Sequence, residues 1–133
     1  MRLFSDIALA AATIWQEARG EPYEGKLAVA EVIRNRMRAG YASDGTVVGT
    51  VLRSRQFSGW NADDPNRIQS IKLDDGERIV VECLRAWKEA TEKNTDVAQG
   101  ALLYYAPALV VPEWARSCRE VARIGQHVFL IPT

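Results

Sequence analysis

The sequence predicts an α+β fold, a mainly helical domain with a small antiparallel β-ribbon near the C-terminus. Three observations predict it. Apolar residues recur at helical spacing in two runs before Gly40, and again in a long run after residue 75. Beyond Gly100 that period is lost, and short aromatic and β-branched runs replace it. Polar, turn-forming stretches lie between, at Gly40–Gly49 and Asn61–Asn66. With 133 residues, 47% of them hydrophobic, the chain is long enough to bury a core as one domain spanning 1–133.

The first helix is expected from Ser5, a good N-cap, to Arg19. Ile7, Ala11, Ile14 and Ala18 fall within about 40° on a helical wheel and form its core stripe. Gly20 can adopt a positive φ and end it, and Pro22 suits the first turn of the next helix. That second helix should run from Pro22 to Arg38 and stop at Gly40. Val29, Val32, Ile33 and Met37 line its inner face, and Glu31 is placed to pair with Arg34 or Asn35 on its outer edge. A short helix is expected over Val47–Arg53, and a polar loop with Asp-Pro at its centre over Asn61–Asn66.

The third long helix should start at Asp75 or Gly76 and reach Lys93. Its buried face is Ile79, Cys83, Trp87 and Ala90, and its surface carries Arg78/Glu82, Arg85/Glu89 and Glu89/Lys93 at four-residue spacing. Ala101–Tyr105 and Val128–Ile131 read as two strands that pair, with an irregular stretch between them containing Pro107, Pro112 and Trp114. Alternation along a strand points Tyr104 and Tyr105 to opposite faces.

Seventeen basic residues balance seventeen acidic ones, so no long-range field favours nucleic acid or anionic lipid. No apolar run approaches the ~20 residues of a membrane span. Arg2 precedes an alanine-rich stretch, but Asp6 interrupts it and cleavage near Ala12 would destroy the first helix. No secretory signal is expected. Two cysteines and one histidine leave no metal-ligand set and no disulfide framework. Cys83 continues an apolar face. Cys118, flanked by Arg116 and Arg119, leaves a Cys–His amidase or peptidase with His127 open.

Three glutamates, Glu17, Glu21 and Glu24, cluster where the first helix gives way to the second. Glu17 sits about 60–80° off the core stripe, in the last turn, beside Ala10. A carboxyl group there loses part of its water among small residues. Its pKa should rise, as a general acid working near neutral pH requires. Glu21 and Glu24 read as helix-start acids complementing the dipole. Trp60, Trp114 and the Tyr104/Tyr105 pair lie in loop or strand segments, where flat apolar rings suit sugars and also nucleobases. Trp60, between Gly59 and Asn61, is the best placed to be exposed.

The block Trp15-Gln16-Glu17-Ala18-Arg19-Gly20-Glu21-Pro22-Tyr23-Glu24-Gly25, followed by Ala28-Val29-Ala30 and Asn35-Arg36, closely resembles the signature of the spore-cortex-lytic cell-wall hydrolase family. The resemblance continues at Gln56-Phe57-Ser58, at Gly100-Ala101-Leu102-Leu103-Tyr104-Tyr105 with Pro107, and at Ile124-Gly125-Gln126-His127-Val128-Phe129. It implies a lysozyme-like domain, similar to resuscitation-promoting factors, that cuts peptidoglycan glycan strands between N-acetylmuramic acid and N-acetylglucosamine. It also implies one essential glutamate, matched here to Glu17, acting as a lytic transglycosylase without cofactor or metal. Glu21, Gln56, Ser58, Tyr104 and Tyr105 are expected to bind and orient the sugars, with Trp60 as a stacking wall.

The alternatives are a hydrolytic muramidase using Glu21, Asp63 or Asp64 as second carboxylate, and an amidase using Cys118 and His127. A non-catalytic wall-binding module built on Arg34, Arg36, Arg38, Arg53 and Arg55 is the third. The expected partner is peptidoglycan alone, met by a monomer with no membrane insertion. A phage-type lysin made in the cytoplasm, or a domain excised from an exported protein, would reach it.

Overall fold

The computed structural model describes residues 5–53, 56–74 and 77–133, except the side chain of Ile68. In chain order the elements are α1 (Asp6–Ala18), α2 (Tyr23–Ala39), α3 (Val48–Val51), α4 (Pro65–Ile71), α5 (Arg78–Glu92), β1 (Leu103–Tyr105), β2 (Cys118–Ile124) and β3 (His127–Pro132). The mainly helical architecture with a small antiparallel sheet is as predicted.

Helix α1 starts where Ser5 Oγ accepts from the Ala8 amide at 3.1 Å, with Asp6 in the first turn complementing the dipole. It is the central helix, packed against α2 and α5, and Ala10, Ala11, Ala12 and Ile14 are fully buried. Alanines let neighbouring backbones approach closely, which explains their density here. The one-sided stripe therefore understates its burial, and at the stripe's outer end Ile7 is 57% exposed. Thr13 is buried without penalty, since its hydroxyl donates to the Leu9 carbonyl at 2.8 Å.

The helix ends without a left-handed glycine. Arg19 keeps helical angles, and the Glu21 amide closes the turn on the Ala18 carbonyl at 2.9 Å. Pro22 then caps α2 in extended conformation, one position before its first residue. The other end of α2 follows expectation, with Gly40 at φ +64°.

Polar residues of α2 organise the chain between α5 and β1. Glu31, expected on the outer edge, is instead fully buried, and its carboxylate accepts the amides of Val97 (3.0 Å) and Ala98 (2.8 Å). Arg34 donates to the carbonyls of Ala90 and Thr95. Asn35 donates to Ala101 O at 3.0 Å, and Arg36 Nε to Leu102 O at 2.7 Å. A segment with too few partners of its own is thus held backbone group by backbone group. This row delivers β1 to the end of α1.

The Asp-Pro pair read as the centre of a loop is a helix start. Asp64 Oδ1 accepts the Asn66 amide at 2.8 Å, and Pro65 opens α4, where its missing N–H costs nothing. The short helix read over Val47–Arg53 keeps only Val48–Val51. The expected start of α5 at residues 75–76 lies outside the described residues. Its buried face is Val80, Cys83, Ala86, Trp87 and Ala90, with Ile79 partly exposed. Arg85–Glu89 (2.8 Å) and Arg78–Glu82 (3.5 Å) pair as spaced, and Lys26 reaches Glu82 at 3.2 Å.

The two expected strands pair, Tyr104 opposite Phe129, but the sheet has three strands in the order β1-β3-β2, all antiparallel. Central β3 carries the buried Val128, Phe129 and Leu130. The unpredicted β2 is an edge strand with no fully buried residue and a bulge between Glu120 and Ala122. Its charges suit an edge and hide it from a search for apolar alternation.

Candidate active site

Glu17, in the last turn of α1, is half-buried at the junction of two cavities. One, of about 520 Å³, is lined by Arg36, Tyr41, Gln56, Tyr104, Trp114 and Cys118. The second, of about 350 Å³, runs from Gln16 and Gly20 to Leu109 and His127. Among the described residues, Glu17 is the one that lines both. A carboxyl group midway along a two-lobed groove meets the middle of an extended ligand, with room for its chain on either side.

Tyr104, brought by β1, donates its hydroxyl to Glu17 Oε1. Its ring is fixed by the edge-on imidazole of His127 (centroids 5.0 Å apart) and by Phe129 (5.7 Å). Burial raises the Glu17 pKa above the usual 4.5. The Tyr104 hydrogen bond and the nearby Arg36 charge pull it back down, and Asp64 pushes it up. Burial and the Glu17 charge also hold the Tyr104 hydroxyl well above its ordinary pKa, so it stays a donor. The carboxyl group is held between two forms: desolvation favours the proton, while Tyr104 and Arg36 favour its loss.

The sequence placed Arg36 in the family signature and in the arginine set of a binding surface, without a role at the site. It is buried at the groove wall, its guanidinium stacked 4.9 Å over Phe57 and its Nη1 donating to Gln56 Oε1 at 3.3 Å. Tyr41 lines the same wall. The signal for Arg36 was the Asn35-Arg36 pair in the family signature. Arg34 is likewise buried, and Arg38 is tied to Asn94 at 2.6 Å. Arg55 lies outside the described residues. Arg34 and Arg36 are turned inward and so contribute nothing to an exposed arginine face, while Arg38 and Arg53 are exposed.

Glu21 lines the smaller cavity together with Glu17, and it is bonded toward the β2–β3 turn. Its carboxylate accepts the Gln126 amide at 2.9 Å and stands 2.9 Å from His127 Nδ1, with its side chain mostly buried. A Cβ on Gly125, which sits at φ +57°, would come within 2.8 Å of those same oxygens. Glu21 therefore ties the α1–α2 corner to the β2–β3 turn. Burial lowers the His127 pKa, against the pull of Glu21 in the other direction. Asp64 is spent on its own helix cap.

Among the other sequence candidates, Gln56 borders the larger cavity through its contact with Arg36. Ser58 is exposed in a 3₁₀ turn and Tyr105 packs edge-on to Trp114 at 6.1 Å; neither lines the two cavities described. Trp60, expected to be the exposed ring, packs partly against the core and donates Nε1–H to Thr13 Oγ1 at 2.9 Å. It is anchored to α1 and does not line either cavity. Trp114 lines the larger one and is the more exposed.

Cys118 and His127 stand at opposite ends of the β2–β3 ladder, Cys118 opposite Pro132 and His127 opposite Ile124. Six strand residues separate them by roughly 20 Å, which rules out a nucleophile–base pair. Cys83 is a buried thiol whose pKa burial pushes up to about 12. Among the described residues no His, Cys, Asp and Glu cluster could hold a metal ion.

Residues 20–130 match the family model described as Cell Wall Hydrolase. The chain is 33% identical to the spore cortex-lytic enzyme of Oceanobacillus iheyensis over 125 residues, covering 94% of this chain and 41% of that protein. Against the spore cortex-lytic enzyme of Bacillus subtilis it is 30% identical, covering 94% and 37%. The chain thus spans about two fifths of the length of these relatives. The catalytic domain of the germination-specific lytic transglycosylase SleB from Bacillus anthracis superposes with a TM-score of 0.74 at 28% identity, covering 98% of this chain and 99% of that one. The catalytic domain of the Bacillus cereus SleB protein gives 0.73 at 30%, covering 95% and 89%.

Proposed function

Because this chain belongs to the cell wall hydrolase family, we propose that it cuts peptidoglycan glycan strands as a lytic transglycosylase, with Glu17 as its one catalytic carboxyl group. The observation that carries this is Glu17 at the junction of two cavities, hydrogen-bonded by Tyr104 and desolvated. The likeness to the SleB catalytic domain supports the same reaction.

The reaction needs one proton, carried in a closed loop. Protonated Glu17 gives its proton to the oxygen linking C1 of N-acetylmuramic acid to the next sugar, and the C1–O bond breaks. The substrate's N-acetyl group shields the cationic C1. The muramoyl C6 hydroxyl then bonds to C1 and yields its proton to the Glu17 carboxylate, closing a 1,6-anhydro ring. Glu17 ends as it began, and no water is consumed.

Each feature of the site serves one half of that cycle. Burial favours the proton on Glu17 at the start. Once it leaves, the Tyr104 bond becomes charge-assisted and the Arg36 charge stabilises the anion, so the carboxylate persists long enough to act as base. Tyr104 occupies Oε1, which leaves Oε2 for the sugar. A hydrolase working through two carboxylates needs a second one at a fixed separation. The Glu21 carboxylate is hydrogen-bonded to the β2–β3 turn, and that of Asp64 to the start of its own helix.

The test is mass spectrometry of the products from purified peptidoglycan. Anhydromuropeptides, lighter than hydrolysed ones by one water, are expected. Reducing ends alone would replace this reading with a muramidase.

A further inference from the structure

The connection between β1 and β2, residues 106–117, contains four of the ten exposed large hydrophobic residues among those described: Leu109, Val110, Val111 and Trp114. Leu109 is 86% exposed and Trp114 42%. Exposed apolar residues this close together mark a contact surface rather than scattered surface noise. The segment is also well held. The Leu109 and Val110 amides fold back onto the Ala106 carbonyl at 3.0 and 3.2 Å, and a 3₁₀ turn from Glu113 to Ser117 carries Trp114.

Its two ends reach different lobes of the groove. Trp114 lines the cavity on the Arg36 side of Glu17, and Leu109 lines the cavity on the His127 side. From this placement we infer that the β1–β2 connection is a glycan clamp, with Trp114 and Leu109 binding sugars on opposite sides of the bond that Glu17 cleaves. The inference rests on the proposed function and names the residues that set its requirement for chain length. Edge-on packing against Tyr105 leaves part of the indole free to cover a sugar's apolar face. Leu109 offers an aliphatic contact to the chain beyond the scissile bond. An oligosaccharide confined to one lobe can use only one of the two.

The test uses the Glu17→Gln protein, which binds without cutting. Trp15 and Trp87 are buried and Trp60 is anchored to the core, so Trp114 should dominate a change in tryptophan fluorescence on binding. Titration with uncleaved disaccharide and tetrasaccharide fragments of peptidoglycan is expected to give a saturable change, tighter for the tetrasaccharide. Adding Trp114→Phe should abolish the signal while calorimetry still detects binding. Trp114→Ala should weaken tetrasaccharide binding on the order of tenfold, the scale of losing one large apolar contact. Leu109→Ala should reduce the advantage of tetrasaccharide over disaccharide.

In the cleaving enzyme both alanine variants should raise KM and leave kcat within about twofold, which misfolding would not do. Wild-type affinity in both variants, with normal cleavage by the parent enzyme, overturns the clamp and leaves the reaction standing. Failure of the parent enzyme to cleave peptidoglycan, with no fragment bound, overturns both.

Discussion

The Tyr104 hydroxyl donates to Oε1 of Glu17 across 87 residues of sequence, joining the first strand to the last turn of the first helix. This bond favours the ionised carboxyl group in a place where burial disfavours it. It should therefore set the pH at which the acid is lost. In Tyr104→Phe the opposing pull disappears, the Glu17 pKa rises further, and the alkaline limb of the activity profile moves upward. Activity at the optimum should fall about 10-fold to 100-fold, the worth of one hydrogen bond to a charged group. Rates of cell-wall clearing between pH 4 and pH 9 measure both. An unmoved limb would mean that Tyr104 does not tune Glu17.

Glu17→Gln should be inactive and more stable than the parent at neutral pH. The raised pKa means that the folded chain holds this proton after the unfolded chain has released it. The stabilisation is complete below about pH 4.5 and is lost as pH climbs through the folded value. A neutral amide escapes that loss. At this chain length a gain of about 1 kcal/mol reads as roughly 4 °C in Tm. Calorimetry at pH 5 and pH 8 should show the gain growing with pH; a variant less stable at pH 8 would contradict the desolvated placement of Glu17.

Glu21 should prove structural. Glu21→Gln can still accept the Gln126 amide, so activity within about threefold of the parent is expected. Gly125→Ala introduces both a positive φ and a contact with the Glu21 oxygens, and should cost about 1–3 kcal/mol. Faster amide exchange at Gln126 and His127 would accompany it. Loss of activity in Glu21→Gln with folding intact would return Glu21 to the chemistry.

Glu31→Ala leaves the part-buried Val97 amide and the buried Ala98 amide without that acceptor. A loss of about 2–5 kcal/mol in urea unfolding is expected, since each orphaned donor retains its desolvation cost. Glu31→Gln, which restores one acceptor, should recover part of it. The same variants should loosen the start of β1, and so lower activity more than the drop in folded protein accounts for.

Cys118→Ser, which keeps the side chain's size, should cut peptidoglycan as well as the parent, since no step of the reaction uses the thiol. Cys118 borders the groove, with His127 at the far end of the β2–β3 ladder.

Local rules in the chain wrote the helices and the apolar strands. Ser5 capping α1, Gly40 ending α2 and the β-branched run of β3 each act over a few residues, so spacing alone reveals them. The border position of Glu17 was visible for the same reason, as one angle on one helix. Its partners were not. Nothing within a turn of Tyr104 tells it apart from Tyr105. Which ring meets Glu17 depends on the register of β1 against β3 and on the α2 side chains that tether Asn94–Leu102.

Glu31, Arg34 and Arg36 look like a solvated helix face because charge at helical spacing usually is one. Tertiary packing buried them and gave them backbone partners instead. Glu21, the nearest carboxylate in sequence, was drawn off to the β2–β3 turn, more than a hundred residues away. Sequence therefore determined where the Glu17 carboxyl group would sit on its helix. Only the folded chain decided which groups surround it, because desolvation and hydrogen bonding depend on contacts between residues far apart in the chain.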